Sequence, residues 1–315
     1  MAGIGHQLGI GGVLGIALGL LSACQMAPPP SSSSSPEPKT VLTTFTVIAD
    51  MAQNVAGDRL RVVSLVKPGA EIHGYEPTPQ DIERGEKAAL ILDNGLNLER
   101  WSERFFQHFP QVPRTTLSEK ITPLTIASDR YQGQPNPHAW MSPKNALIYV
   151  DNIRQALIEL DPQNTAIYNQ NAQIYQQKIR ELDQKLRQAI SKIPVDQRYL
   201  VSCEGAFSYL AKDYGLKEIY LWPVNAEKQA TPQQIAQAIA QVKAQKIPAV
   251  FCESTVNDQA QRQVAEESGA KYGGVFYVDS LSPPAGPAST YLKLLEHNIK
   301  TLMQGLEPKI SLNPP

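Results

Sequence analysis

Two of the five histidines in this 315-residue sequence stand in proline-rich loops. They are His73, in Gly69-Ala70-Glu71-Ile72-His73-Gly74-Tyr75-Glu76-Pro77, and His138, in Asn136-Pro137-His138-Ala139-Trp140. Proline restricts a loop's backbone, so each imidazole can be presented in a fixed geometry. Of the others, His6 lies in an apolar leader. His108 sits in the aromatic run Phe105-Phe106-Gln107-His108-Phe109, a surface or packing position. His297 stands beside Glu296 and Lys300 in a closing helical pattern and is expected to face water. The carboxylates that match are Glu204, after the apolar run 199–203, and Asp279, after 275–278 and before the proline- and glycine-rich turn 283–287. Glu253 is a rival, because it too follows an apolar run and a cysteine. Taken singly, each acid would serve equally well as a helix cap or a solvated loop residue. Imidazoles with carboxylates suit divalent transition metals. Two histidines and one acid would also hold a catalytic zinc with an open position, but the His-Glu-x-x-His pattern of such hydrolases is absent from the sequence.

The elements that must position these residues alternate between strand and helix. Residues 41–45, 60–66 and 88–92 read as strands; 47–55, a segment opening at Thr78-Pro79 and 98–109 read as helices. That alternation predicts a mostly parallel sheet with covering helices. The middle of the chain differs. Residues 143–160 form one amphipathic helix, interrupted by Asp161-Pro162, and 164–190 a second. In the second, Ile167, Ile174, Ile179, Leu182, Leu186 and Ile190 keep helical spacing. At ~1.5 Å per residue it is about 40 Å long. Strands then return at 199–203, 217–221, 249–252 and 275–279, with helices at 206–214, 231–246, 258–268 and 291–304. The fold class expected is α/β: two lobes, each with a mostly parallel sheet flanked by helices, joined by one long rigid helix. The boundaries expected are 41–163, 164–193 and 194–315. His73, Glu204 and Asp279 then fall at carboxyl ends of strands, where such sheets build their sites.

The amino terminus implies export. Residues 8–21 are almost wholly apolar or glycine, too short for a convincing membrane span and similar to a secretory signal. The stretch ends in Leu21-Ser22-Ala23-Cys24, which resembles a bacterial lipobox; residues 1–23 are then the signal and Cys24 the lipidated residue. The leading residues 1–7 depart from that pattern, having no Lys or Arg. Residues 24–40, rich in Pro and Ser, read as a flexible tether. Of three cysteines, Cys203 and Cys252 remain, each closing a short apolar run. An oxidising compartment makes a disulfide the default for such a pair, with two free buried thiols as the alternative. Closing a loop of about 50 residues is worth on the order of 4 kcal/mol in the chain-entropy model. Net charge is -1 and mixed along the chain, which supplies neither a nucleic-acid patch nor an acidic tail.

Four segments then carry a family resemblance. In order they are GAEIHGYEPTPQDI, NPHAWMSPKNALIYVDNI, CEGAFSYLAKDYGL and VFYVDSLS, within residues 41–305. Together they resemble the receptors of manganese and zinc ABC importers, the cluster 9 or A-I solute-binding proteins. The resemblance implies a non-enzymatic, monomeric, periplasmic receptor, anchored to the membrane by lipid, that hands a metal ion to an ABC-type permease. It also implies one ligand from each segment: His73, His138, Glu204 and Asp279. Zinc receptors of that family typically place a histidine where Glu204 stands and carry a His- and Asp-rich loop before the second motif; residues 128–136 here contain no histidine. Both departures imply Mn2+, with Zn2+ and Fe2+ as alternatives. Two neutral imidazoles and two carboxylates balance a dication, and four protein ligands would close the site to a hydrolytic water. Glu71, Glu76 and Asn136 are neighbours in sequence without an assignable role. Trp140 either walls the site or packs its loop; Glu227 and Lys228 either reach the cleft or face solvent. A single long helix between lobes implies small rotations rather than a wide hinge.

Overall fold

Short β-branched and leucine-rich runs make the first lobe's sheet. The computed structural model describes residues 37–127, 131–224 and 230–306. The expected signal, Cys24 and most of the tether lie outside the described residues, as do 128–130, Glu227, Lys228 and 307–315. Strands β1 (Thr40–Thr43), β2 (Arg61–Ser64), β3 (Leu90–Asp93) and β4 (Arg114–Thr116) form one parallel sheet in the order β2-β1-β3-β4. The inner strands β1 and β3 are buried at nearly every position, as helices on both faces require. Helix α1 (Thr46–Ala56) buries Val47, Ile48, Met51 and Val55 and stops at Gly57, whose φ is 61°. Helix α2 (Pro79–Glu86) opens with proline in its first turn and a reciprocal cap: Asp81 N donates to Thr78 Oγ1, and Thr78 N donates to Asp81 Oδ2 at 2.8 Å.

Two details of this lobe differ from the sequence pattern. Strand β4 was not foreseen, because Arg114-Thr115-Thr116 is a polar edge with no apolar run. The helix expected at 98–109 shrinks to α3 (Ser102–Phe106), since Leu96 and Asn97 adopt positive φ (53° and 63°) and spend the preceding residues on a turn.

Helix α4 (Pro143–Leu160) has the predicted bounds, with Ser142 as N-cap. A 3-10 turn at Pro162–Asn164 leads to α5 (Thr165–Ser191), the long helix that joins the lobes. Its buried face is Tyr168, Ala172, Tyr175, Ile179, Leu182, Leu186 and Ile190. Ile174, expected on that face, is 49% exposed; the tyrosines one position along take the core instead. Their hydroxyls still find partners, Tyr168 on Asp161 Oδ2 at 2.6 Å and Tyr175 on Asp50 Oδ2 at 3.3 Å.

The second lobe holds two parallel pairs, β5 (Tyr199–Glu204) with β6 (Lys217–Trp222) and β7 (Ala249–Glu253) with β8 (Lys271–Phe276). No backbone ladder joins β5 to β7 among the described residues. Instead the Cys203–Cys252 disulfide ties their ends, with Cα atoms 4.9 Å apart. Gln261 of α8 (Gln259–Ser268) bridges them further back, its Nε2 donating to Val201 O at 3.3 Å and Phe251 O at 2.8 Å. Strand β8 begins and ends earlier than the expected 275–279. Gly273 and Gly274 belong to it, and a side chain at Gly273 would strike the Phe251 ring. Helices α6 (Ser208–Tyr214), α7 (Pro232–Ala244) and α9 (Tyr291–Leu306) complete the lobe. One apolar core is continuous from β1 and α1 through α4 and α5 to Phe207, Phe251 and Phe276 of the second lobe.

Candidate metal centre

Each of the four candidate side chains is delivered by a differently built segment. His73 lies between β2 and α2. Its loop is held by buried Ile72, whose carbonyl accepts from Trp101 Nε1 at 2.9 Å, and by Glu71, whose Oε1 accepts from His73 N at 2.8 Å. His138 precedes a 3-10 turn at Ala139–Met141. Asn136 Oδ1 accepts from the His138 backbone N–H at 3.0 Å and lies 3.0 Å from ring Nδ1. An amide oxygen only accepts, so Nδ1 carries the proton and the Nε2 lone pair is left for the centre. Asn136 Nδ2 meanwhile donates to Gly205 O at 2.7 Å, which sets the amide's orientation and ties this loop to the residue after Glu204. Glu204 is the last residue of β5. Asp279 follows β8 by three residues, between Val278, whose carbonyl accepts from Trp140 Nε1 at 3.2 Å, and Ser280, whose Oγ accepts from Gly69 N at 2.7 Å.

These four side chains converge. Their donor atoms all lie within 4.8 Å of one another. His73 Nε2 is 3.2 Å from His138 Nε2, 3.4 Å from Glu204 Oε1 and 3.7 Å from Asp279 Oδ2. His138 Nε2 is 3.4 Å from Glu204 Oε1 and 3.5 Å from Asp279 Oδ1. A point at the middle of a tetrahedron with such edges sits about 2.0–2.3 Å from each corner, the range of bonds from nitrogen and oxygen ligands to first-row divalent ions. Burial is nearly complete: His138, Glu204 and Asp279 at 0% and His73 at 5% exposure.

Electrostatics point the same way. Burial, with His138 adding to it, lowers the His73 pKa to about 4 against the attraction of Glu204, so its imidazole is neutral at physiological pH. Burial and then the neighbouring charges of Glu204, Glu71 and Glu253 push the Asp279 carboxyl well above the usual range. Neither Asp279 oxygen has a hydrogen-bond partner among the described residues. Acids this enclosed and this close together need a cation to be ionised at once.

The rival Glu253 is also buried, but its Oε2 accepts from Glu204 N at 3.2 Å and it stands outside the four-residue cluster. It groups with Cys203 and Cys252, whose sulfurs are spent in the disulfide. Glu76 and His108 are exposed. His297, expected to face water, is half-buried, with Nε2 2.9 Å from Val275 O. Trp140 is fully buried and packs its ring 5.3 Å from that of His138. A supporting network had no sequence signal. Asn94 Nδ2 donates to Pro137 O at 3.1 Å, Tyr149 OH donates to Asn94 Oδ1 at 2.6 Å, and Glu99 accepts from Asn94 N and Thr44 Oγ1, both at 2.7 Å. Burial and the nearby Asp93 raise the Glu99 pKa to about 7. Asn136 did carry a readable signal: an amide two residues before a ligand candidate is the spacing of an Asx turn.

The family profile described as zinc-uptake complex component A, periplasmic, matches residues 41–305. The chain is 54% identical over 265 residues to the iron-binding protein YfeA of Yersinia pestis, spanning 84% of this chain and 85% of that one. It is 31% identical over 283 residues to the manganese ABC transporter substrate-binding lipoprotein PsaA of Streptococcus pneumoniae, spanning 88% and 91%. Among solved structures, the Mn-bound periplasmic metal-binding protein of Candidatus Liberibacter asiaticus superposes with a TM-score of 0.80 at 43% identity, covering 85% of this chain and 99% of that one.

Proposed function

This chain belongs to the family of periplasmic component A of zinc-uptake complexes, metal-binding receptors of ABC transporters rather than enzymes, and from that premise we propose that it captures Mn2+ through His73, His138, Glu204 and Asp279. The observation that carries the reading is the convergence of four buried donors, two imidazole and two carboxylate, within 4.8 Å of one another. Their charge of -2 neutralises a dication, and the ion's charge in turn lets both acids ionise.

Manganese is favoured over zinc and iron by the donor set. Affinity for a given site rises from Mn2+ through Fe2+, while Zn2+ also exceeds Mn2+, so preference for manganese has to come from geometry and ligand type. Carboxylate at position 204 hardens the site. Both Asp279 oxygens lack other partners among the described residues, so that carboxylate is free to bind through two oxygens and raise the coordination number. The relatives divide: one is named for iron, another for manganese, and the family for zinc.

In the same reading the chain is a monomer that delivers its ion to a membrane permease. It is anchored by lipid at Cys24 after removal of 1–23 and tethered by 24–40. Residues 41–163 form one lobe, 164–193 the linking helix and 194–315 the other. The core continuous through α5 supports release by small rotations and loop movements. Metal analysis of the protein purified from its native envelope tests the cargo. Manganese at about one equivalent is expected, and stoichiometric zinc or iron would refute that assignment. Replacing Glu204 by His should move relative affinity towards Zn2+; an unchanged preference would remove the argument from position 204.

A further inference from the structure

The loop that carries His138 leaves a small antiparallel stem. Ile126 N donates to Gln134 O at 2.9 Å, Asn136 N donates to Leu124 O at 2.7 Å, and Thr125 pairs with Pro135. The stem runs straight into Pro137-His138. Its base is fastened by a residue of the other lobe. Tyr209 of α6 donates its hydroxyl to Asn136 O at 2.8 Å and accepts from Leu124 N at 3.1 Å. One buried hydroxyl thus satisfies a carbonyl on one arm of the stem and an N–H on the other. Nearer the turn, Ile126 and Tyr131 pack against Val224 of the second lobe in an apolar cluster of their own.

We propose that the Tyr209 hydroxyl is a positioning group for the metal centre: it pins, from the second lobe, the stem that aims His138, and thereby sets how fast the bound ion leaves. This rests on the metal-receptor reading above. The chain of contacts is short. The orientation of the His138 ring follows from Asn136 Oδ1, and the Asn136 backbone follows from Tyr209. Removing the hydroxyl leaves a buried carbonyl and N–H without their shared partner, a loss relieved only when the stem parts from α6 and admits water. His138 then detaches more often, and three ligands hold the ion less long. Dissociation should change more than association, as it does for most changes that leave the encounter itself alone.

Tyr209→Phe isolates the hydroxyl while keeping the ring. Tyr168→Phe is the control; it removes another buried hydroxyl, bonded to Asp161 in the connection between α4 and α5. Release of bound Mn2+ into excess chelator is followed by stopped flow, beside the thermal midpoint of each metal-free protein. Release from Y209F is expected to be about 10-fold faster or more, the scale seen when an outer partner of a metal ligand is lost. Y168F is expected to release at the wild-type rate. Val224→Ser, which loosens the stem at its other contact, should also speed release and decides the matter if Y209F does not fold. The His138 ring-nitrogen resonances should broaden in Y209F and stay sharp in Y168F. Release from Y209F at the wild-type rate, or equal acceleration in Y168F, would overturn the proposal while wild-type protein that retains Mn2+ leaves the receptor reading intact. Wild-type protein that binds no Mn2+ overturns both.

Discussion

The two lobes contribute equally to the candidate metal centre, two side chains each, and are built differently behind it. The first lobe has a continuous four-stranded ladder, and its two histidines stand on loops braced by hydrogen bonds that their backbone N–H groups donate to Glu71 and Asn136. The second has a gap in its ladder between β5 and β7, directly behind Glu204 and Glu253. There a disulfide and the Gln261 amide do what backbone bonds do in the first lobe. The difference teaches that ligand chemistry and scaffold are matched. Neutral imidazoles need orientation, which local hydrogen bonds provide. Paired carboxylates repel: Glu204 ends β5, which the disulfide ties to β7, and Asp279 lies three residues beyond β8, which pairs with β7.

The largest effect that bears on this contrast is at the carboxylate side. Asp279→Ala removes a ligand and one of the two charges that balance the ion, whereas His73→Ala removes a neutral donor. Mn2+ affinity measured by calorimetry should fall by roughly 1,000-fold or more for Asp279→Ala, about 4 kcal/mol, and by less for His73→Ala. Equal losses would mean that charge is not what the second lobe contributes.

Stability sharpens the contrast next. Replacing Cys203 and Cys252 together by Ala opens a loop that spans 49 positions and should cost about 4 kcal/mol in urea denaturation. Amide exchange should quicken in β5 and β7 while β1 and β3 keep their protection. Uniform quickening across both lobes would show that the disulfide stabilises the whole chain rather than mending one sheet.

A smaller effect lies in pH. In metal-free protein Asp279 is held protonated above the usual carboxylate range by burial and neighbouring acids. Such a raised group lends stability at low pH and loses it as pH rises through its folded-state value. His73 has the opposite sign: lowered to about 4 by burial, it adds stability above the ordinary histidine range and loses that as pH falls towards about 4. Metal binding requires the carboxylate ionised and the imidazole neutral. The stabilisation produced by Mn2+ should therefore grow as pH rises above the usual carboxylate range, by at most ~1.4 kcal/mol per pH unit for one displaced proton. A shift in thermal midpoint independent of pH would place the proton elsewhere.

Much of this was legible in the sequence, for identifiable reasons. Helix α4 was bounded correctly because Ser142-Pro143 starts it and Asp161-Pro162 ends it. The long joining helix was found from spacing, although its buried face belongs to Tyr168 and Tyr175 as much as to isoleucines. The histidine segments stood out because prolines frame them. What spacing could not reveal depends on contacts between distant segments: Tyr209 on Asn136, Gln261 across two strands, and Glu253 on the Glu204 backbone. The polar edge β4 escaped because it has no apolar run, and β8 was expected too late because Lys271–Gly274 has none; pairing with a neighbouring strand makes each a strand.

The central claim is that one ion sits among His73, His138, Glu204 and Asp279. Anomalous diffraction at the manganese edge from crystals grown with Mn2+ tests it most directly. A single strong peak about 2.1–2.3 Å from His73 Nε2, His138 Nε2 and oxygens of both acids is expected. A peak that engages Glu253 in place of Glu204, or bound manganese elsewhere with these four residues unliganded, would contradict it.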